Sequence, residues 1–293
     1  MNTDISIART GVEYAEQFSK AIEGYKHDLS FDSNINILVL DSATTGRMGV
    51  LYYRNMNKEI YFERLKEWHT TCIWRHRYVK NETGDLIEFI GAPSTRDIAF
   101  AAYGKDADDR IVKGLMERLL PCILEGRTIP IDIINSAYYR ISNPVAMDKW
   151  EWEKSLSITC ALVNQKEGIN VGLDKSNNDR DYLFGRLLAI ADVLERNAMD
   201  DNEGRATNAI RYMNAFSNHP ARTWKVIQEN IQPYLIRLGN RSTRFTIVID
   251  KVTSRIKYEY LNERPLSPKF LLGFHSQRQD LYKKRDNNEK GEI

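Results

Sequence analysis

The segment from Arg180 to Gly239 limits the possible folds more than any other stretch of the chain. Its first apolar residues, Leu183, Leu187, Ile190 and Leu194, are spaced by four, three and four, which makes one stripe of an α-helix. Asp179 stands where a cap belongs, and Arg180, Arg186 and Arg196 lie off the stripe. The polar linker Asp200–Gly204 has nothing to bury and ends this helix. A second helix from Arg205 to Phe216 gathers Ala209, Met213 and Phe216, with Arg205 and Arg211 off their stripe. Ser217-Asn218-His219-Pro220 is a start signal, with Asn218 or His219 at the cap and Pro220 in the first turn. The stripe then continues through Trp224, Ile227, Ile231, Tyr234 and Leu238, and Gly239 supplies a stop. Pro233 removes one backbone donor inside this helix, so a kink is expected there. Helices from Ser242 to Tyr260 and from Lys269 to Lys284 complete an antiparallel bundle of about five helices.

The region before residue 145 has a different rhythm. Ile35, Ile37 and Val39 alternate with Asn36 and Leu38 in a strand pattern, and Val50–Tyr53 repeats it after the loop Ser42–Gly46. A hairpin follows. Tyr61, Leu65 and Trp68 mark a helical stripe. Ile111, Leu115, Leu119 and Leu120 mark another, expected to stop at or shortly after Pro121. Ile131, Ile134, Ala137 and Tyr138 define a third helix, and a last one runs from Val145 to Gln165, before the soft break Lys166-Glu167-Gly168. The fold class is therefore mainly α, with a mixed α/β amino-terminal part and a carboxy-terminal bundle. The expected divisions are 1–145 for the mixed part, 146–170 for the connecting helix and break, and 171–293 for the bundle.

Charge follows the same division. Residues 171–293 hold 21 Lys+Arg against 16 Asp+Glu, and residues 1–170 hold 21 against 24. The bundle is thus +5 and the rest −3, which is the direction a phosphate-contacting face requires. Surface helices commonly carry arginines, so charge alone does not decide the partner. With 42% hydrophobic and 28% charged residues over 293 positions, the chain suits a soluble globular protein of one large or two small domains. No window approaches the roughly 18 uninterrupted apolar residues of a membrane span, and the amino terminus lacks a secretory apolar core. Cys72, Cys122 and Cys160 are too few and too scattered for a disulfide framework, so a reducing cytoplasm is expected. Lys283–Ile293 is polar and expected to fray.

Several groups invite a catalytic reading and fail it. His69, Cys72 and His76 offer three ligands at helix-like spacing, but a zinc site takes four, or three and a water, and no fourth stands nearby. A helix end with Trp68 and Trp74 packed inward explains them better. Asp41–Arg47 supplies hydroxyls, a glycine and an arginine, yet lacks the lysine and following helix of a phosphate-binding P-loop. Asp106, Asp108 and Asp109 read as a solvated loop. No G-x-S-x-G, no HExxH and no paired histidine–aspartate arrangement is present, so no catalytic residue, metal or cofactor is expected.

The run 180–239, together with LDSATTGRMGVLYYR (40–54), WHTTCIWRH (68–76), FIGAPSTRDIAFAAYG (89–104), ERLLPCILEG (117–126), SNPVAM (142–147) and PLSPKFLLGFHSQRQDLY (265–282), resembles the large subunit of the type I-C CRISPR Cascade complex. The resemblance runs in order along nearly the whole chain. The family's protein is longer, and its amino-terminal half has no counterpart here, so recognition of the protospacer-adjacent motif is not assigned. The resemblance implies a non-enzymatic, cytoplasmic subunit of an RNA-guided complex. Its partners would be the Cascade backbone and processing subunits, guide RNA, and target and displaced single-stranded DNA, with no membrane. It also implies that the bundle, like the Cascade small subunit, can arise from an internal start, at Val171 or, failing that, Met147. In such complexes base pairing supplies sequence specificity while protein holds backbone and displaced strand. Candidate strand contacts are Arg180, Arg186, Arg205, Arg211, Arg222, Lys225, Arg237, Arg241 and Arg244, because guanidinium forks suit phosphate oxygens. Some are expected instead to pair with Asp181, Asp192 or Glu195. The alternative is a structural adaptor docking on the backbone subunits without touching DNA.

Overall fold

Two antiparallel hairpins supply the strands of this otherwise helical chain. In the computed structural model, residues 34–42, 48–80, 86–105, 107–167, 172–199 and 206–282 are described. β1 (Asn34–Ser42) pairs with β2 (Met48–Asn57), Asn34 opposite Asn57 and Ser42 opposite Met48, with an irregularity between Val39 and Leu40. This is the hairpin that alternation predicts. A second pair, β3 (Trp74–Lys80) and β4 (Leu86–Gly91), was not expected. The loop residues 43–47, which include most of the Asp41–Arg47 phosphate-loop candidate, lie outside the described residues, as do Asp106, Arg205 and the Lys283–Ile293 tail.

The chain divides into two compact units. The first takes residues 1–140 and 153–169, the second 141–152 and 170–293. The helix Lys149–Glu167 is shared out between them: its first turn goes with the second unit and the remainder with the first.

In the first unit, α1 (Lys58–Thr71) precedes β3, and α2 (Thr95–Tyr103), α3 (Asp109–Glu125) and α4 (Ile131–Ile141) follow β4. α2 begins with a reciprocal capping box: the Ser94 hydroxyl accepts from the Asp97 amide, and the Asp97 carboxylate accepts from the Ser94 amide. α3 runs through Pro121 and stops shortly after it, at Glu125. Cys122, Ile123 and Leu124 beyond the proline are buried, and Gly126 at φ 68° provides the left-handed stop. α1 ends at Thr71, and Trp74 opens β3, so His69, Cys72 and His76 do not share a helix. Trp68 and Trp74 are packed inward, at 2% and 4% exposure. The carbonyls of Phe100 and Ala101 accept from the Arg140 guanidinium, which thereby closes the carboxyl end of α2. α5 (Lys149–Glu167) begins four residues later than expected because Pro144–Ala146 forms a separate 3₁₀ turn.

The second unit is organised around α6 (Arg180–Ala198), capped by the Asp179 carboxylate, which accepts from the amides of Asp181 and Tyr182. It is not an amphipathic surface helix. Every residue from Arg180 to Glu195 is buried, as a helix enclosed by neighbours must be. Those neighbours are α9 (Pro220–Leu238), α10 (Thr243–Thr253) and α11 (Lys269–Tyr282). The expected Arg205–Phe216 helix is instead two short pieces, α7 (Asn208–Arg211) and α8 (Met213–Asn218), broken at Tyr212. α9 is continuous through Pro233, whose ring faces outward. α10 stops at Thr253, and Tyr258–Tyr260 forms a separate 3₁₀ turn.

The closest packing in the unit is α6 against α11. A Cβ built on Gly185 would lie 2.0 Å from the Phe270 carbonyl oxygen, and one built on Gly273 would lie 2.0 Å from the Tyr182 carbonyl oxygen. Two glycines therefore let two backbones touch. Around that crossing, Phe184, Phe216, Phe270 and Phe274 form a chain of rings with centroids 5.9–6.3 Å apart.

Candidate nucleic-acid interface

Burial of α6 separates the eight described basic candidates into two kinds, Arg205 lying outside the described residues. Arg180 and Arg186 are 6% and 5% exposed, which corrects the expectation that they face a strand. The Arg180 guanidinium donates to the carbonyls of Tyr260, Asn262 and Arg264 at 3.0, 2.9 and 2.8 Å and to the Asp181 carboxylate at 2.8 Å. Asp181 in turn accepts from the Ser267 amide. This pair fastens the 258–267 segment to the start of α6. Arg186 donates to Gln277 on α11 at 2.9 Å, and burial pulls its pKa below the usual arginine value.

Arg211, Arg222, Lys225, Arg237, Arg241 and Arg244 are exposed. They do not form one patch. Arg222 and Lys225 stand near the amino end of α9, while Arg237 is 15 residues further along, roughly 22 Å at helical rise. The Arg222 amide also donates to Glu263, whose carboxylate lies 3.6 Å from His219. That neighbouring acid weakens the amino-terminal pair as a phosphate site.

The other end of the bundle is better built. Gly239, at φ 54° and ψ −129°, takes a backbone conformation open chiefly to glycine, and it ends α9 so that the 3₁₀ turn Gly239–Ser242 leads directly into α10. A cleft of about 420 Å³ opens there, lined by Asn197, Leu238, Asn240, Arg241, Arg244 and Phe245. Among the described residues its walls carry two arginines, two carboxamides and no carboxylate. Arg244 donates to Asn197 at 3.1 Å and lies over the buried Phe245 ring at 4.5 Å, which fixes its aim. Arg237 and Arg211 both lie close enough to Tyr234 to act on it electrostatically.

The acids beneath them are sequestered. Asp192, fully buried, is shared by Arg196 and Arg278 at 3.0 Å each and accepts from the Thr207 hydroxyl at 2.6 Å. Glu195, 1% exposed, accepts from the amides of Asn208 and Ala209 at 2.9 and 3.3 Å. Burial pushes its pKa above the ordinary carboxylate value, although those amides and the Tyr234 hydroxyl oppose the shift. Burial, with Glu195 beside it, also raises Tyr234. Among the described residues, Asp192 and Glu195 thus offer little repulsion to an approaching phosphate. Sequence reasoning named Arg241 and Arg244 but missed Asn197 and Asn240. Only the turn at Gly239 brings those residues to the arginines.

Elsewhere, Asp108 caps α3 by accepting from the Ile111 amide, and among the described residues no group of three or more His, Cys, Asp or Glu is placed to hold a metal ion. No described helix is long and apolar enough to cross a membrane.

The molecule is thus a mainly helical protein whose bundle carries a cleft lined, among the described residues, by arginines and carboxamides. Residues 8–282 match the family described as CRISPR-associated protein (Cas_Csd1), and the chain belongs to that family. It is accordingly a CRISPR-associated Cascade subunit of the large-subunit kind, as its sequence motifs imply. No curated protein matches the chain.

Proposed function

We propose that the protein is a non-catalytic, cytoplasmic subunit of a type I-C RNA-guided complex that holds target DNA and the displaced single strand by phosphate contacts from its bundle. The observation that carries this reading is the convergence of Arg241 and Arg244 on one cleft whose neighbouring acids are buried and engaged. Guanidinium forks with fixed aim bind phosphate without reading base sequence. The backbone and processing subunits and the guide RNA are its partners in the assembly.

The test is the salt dependence of binding to a single-stranded oligonucleotide. Each lost phosphate contact flattens the logarithmic slope by about 0.7 for single strands. Arg241→Ala with Arg244→Ala should therefore lower its magnitude by about 1.4 and weaken binding on every base sequence. An unchanged slope rejects the reading. The adaptor alternative draws on Ile236, 80% exposed on the outer face of α9. It predicts that Ile236→Asp lowers retention by the backbone subunits while leaving strand binding intact.

A further inference from the structure

Tyr258 is the most exposed large apolar side chain among the described residues, at 91%. A single exposed aromatic is ordinary. What distinguishes this one is the rigidity of its mount. The Tyr258 carbonyl accepts from the Leu261 amide within a 3₁₀ turn. Behind the turn, buried Arg180 holds the carbonyls of Tyr260, Asn262 and Arg264, the Tyr260 hydroxyl donates to the Asn178 carbonyl, and Arg255 donates to the Lys175 carbonyl. The turn is held from both sides while its aromatic tip stands in solvent. An aromatic presented this way loses little conformational freedom on contact.

The surroundings select the occupant. On α10, exposed Arg244 and Lys251 are seven residues apart and share one face, and the chain reaches Tyr258 five residues after that helix ends. Lys257 adjoins Tyr258, its own ammonium 5.8 Å from the Tyr260 ring centroid. Asp250 and Glu259 are the acids along this path, Glu259 lying 3.7 Å from Lys257. From Thr243 to Thr253 the helix rises about 15 Å. A few nucleotides of a single strand cover that distance. Cations that track a backbone and end at a rigid aromatic are the elements of a single-strand site.

We infer that Tyr258 is a stacking platform for an unstacked base of a single strand whose phosphates run from the Arg241–Arg244 cleft along Lys251. The inference rests on the nucleic-acid reading above. It also explains what Arg180 does: it positions the turn rather than touching the strand.

The full chain should be titrated with a short oligothymidylate and with the same strand carrying abasic sites. Tyr258→Ala should weaken binding to the intact strand about tenfold without changing the salt slope, and Tyr258→Phe should bind as the natural protein does. On the abasic strand all three should bind alike. If Tyr258→Ala binds the intact strand normally while Arg241→Ala with Arg244→Ala does not, stacking is refuted and the phosphate reading stands. If neither variant changes binding, both fail. A loss from Tyr258→Ala that is equal on the abasic strand, or that appears only as lost retention by other Cascade subunits, also overturns the proposal. In the last case the turn is a protein contact.

Discussion

At the scale of single residues, Glu195 shows how burial and charge divide a surface from an interior. Its carboxylate caps the two amides that open α7, yet it sits where ionisation is penalised. A group whose pKa is raised on folding stabilises the fold below its unfolded value, here 4.5, and that contribution is lost as the pH rises through the folded value. The bundle should therefore lose stability as the pH rises above about 4.5, and Glu195→Gln, which keeps an acceptor without a charge, should flatten that loss. Glu195→Ala should instead cost about 1–3 kcal/mol near neutral pH, because it leaves a buried amide unpaired. Denaturant titrations of the natural chain and both variants across this pH range test the sign; a wild-type stability that climbs with pH would contradict it. The same residue scale shows what sequence could and could not tell. Arg180, Arg186, Arg241 and Arg244 look alike as letters, and spacing rightly puts the first two off the apolar stripe. Position on the wheel, however, says nothing of whether a second layer of helices covers that side. Arg180 and Arg186 are interior because α11 and the 258–267 segment cover them, a long-range fact that no local pattern carries.

Among the elements, helix existence was legible and helix ends were not. The stripes at Leu183–Leu194 and Trp224–Leu238 mark α6 and α9: Asp179 caps the first, the second starts at Pro220 after His219 in the cap position, and Gly239 stops it, as the residues suggest. Of the two ends that Pro121 left open, the helix takes the later one, because buried residues on the far side of the proline hold it together, offsetting the roughly 3 kcal/mol a proline can cost. The β3–β4 hairpin escaped notice because His69–His76 also fits a helical spacing. The crossing of α6 and α11 lay hidden for a related reason: Gly185 and Gly273 read as weak helix positions until their partner backbones are known. They lead to opposite predictions for one type of change. Gly185→Ala forces a methyl group against a carbonyl oxygen 2.0 Å away and should cost at least about 1–3 kcal/mol. Gly114→Ala, inside α3 with no atom within 4 Å of the new methyl, should stabilise by about 0.5–1 kcal/mol. Chemical denaturation of both variants checks the pair. A Gly185→Ala protein as stable as its parent would mean the two backbones are not in contact.

For the molecule as a whole, the question is which residues the bundle needs in order to fold. Chain order suggests a unit beginning near Val171, but the compact unit also includes Ile141–Trp152. Trp152 is 4% exposed. Its indole donates to the Ile141 carbonyl at 2.9 Å, its ring meets Phe274 edge-on at 6.1 Å, and the Arg278 guanidinium lies over it at 5.5 Å. Arg278 also neutralises the fully buried Asp192, so this indole shields one of the unit's buried ion pairs. Truncating a buried tryptophan costs about 3–5 kcal/mol. At about 2–4 °C per kcal/mol for a chain portion of this size, Trp152→Ala should lower the bundle's melting transition by about 10 °C. A fragment starting at Val171 should suffer at least as much, and it should bind the dye that reports exposed apolar surface, since Phe274 loses its cover. A fragment starting at Met147 keeps the indole and should retain more stability than the shorter one. Calorimetry on the full chain, its Trp152→Ala variant and both fragments would decide the matter. If the Val171 fragment melts where the full chain's bundle does, residues 141–152 are dispensable and the unit begins after the shared helix.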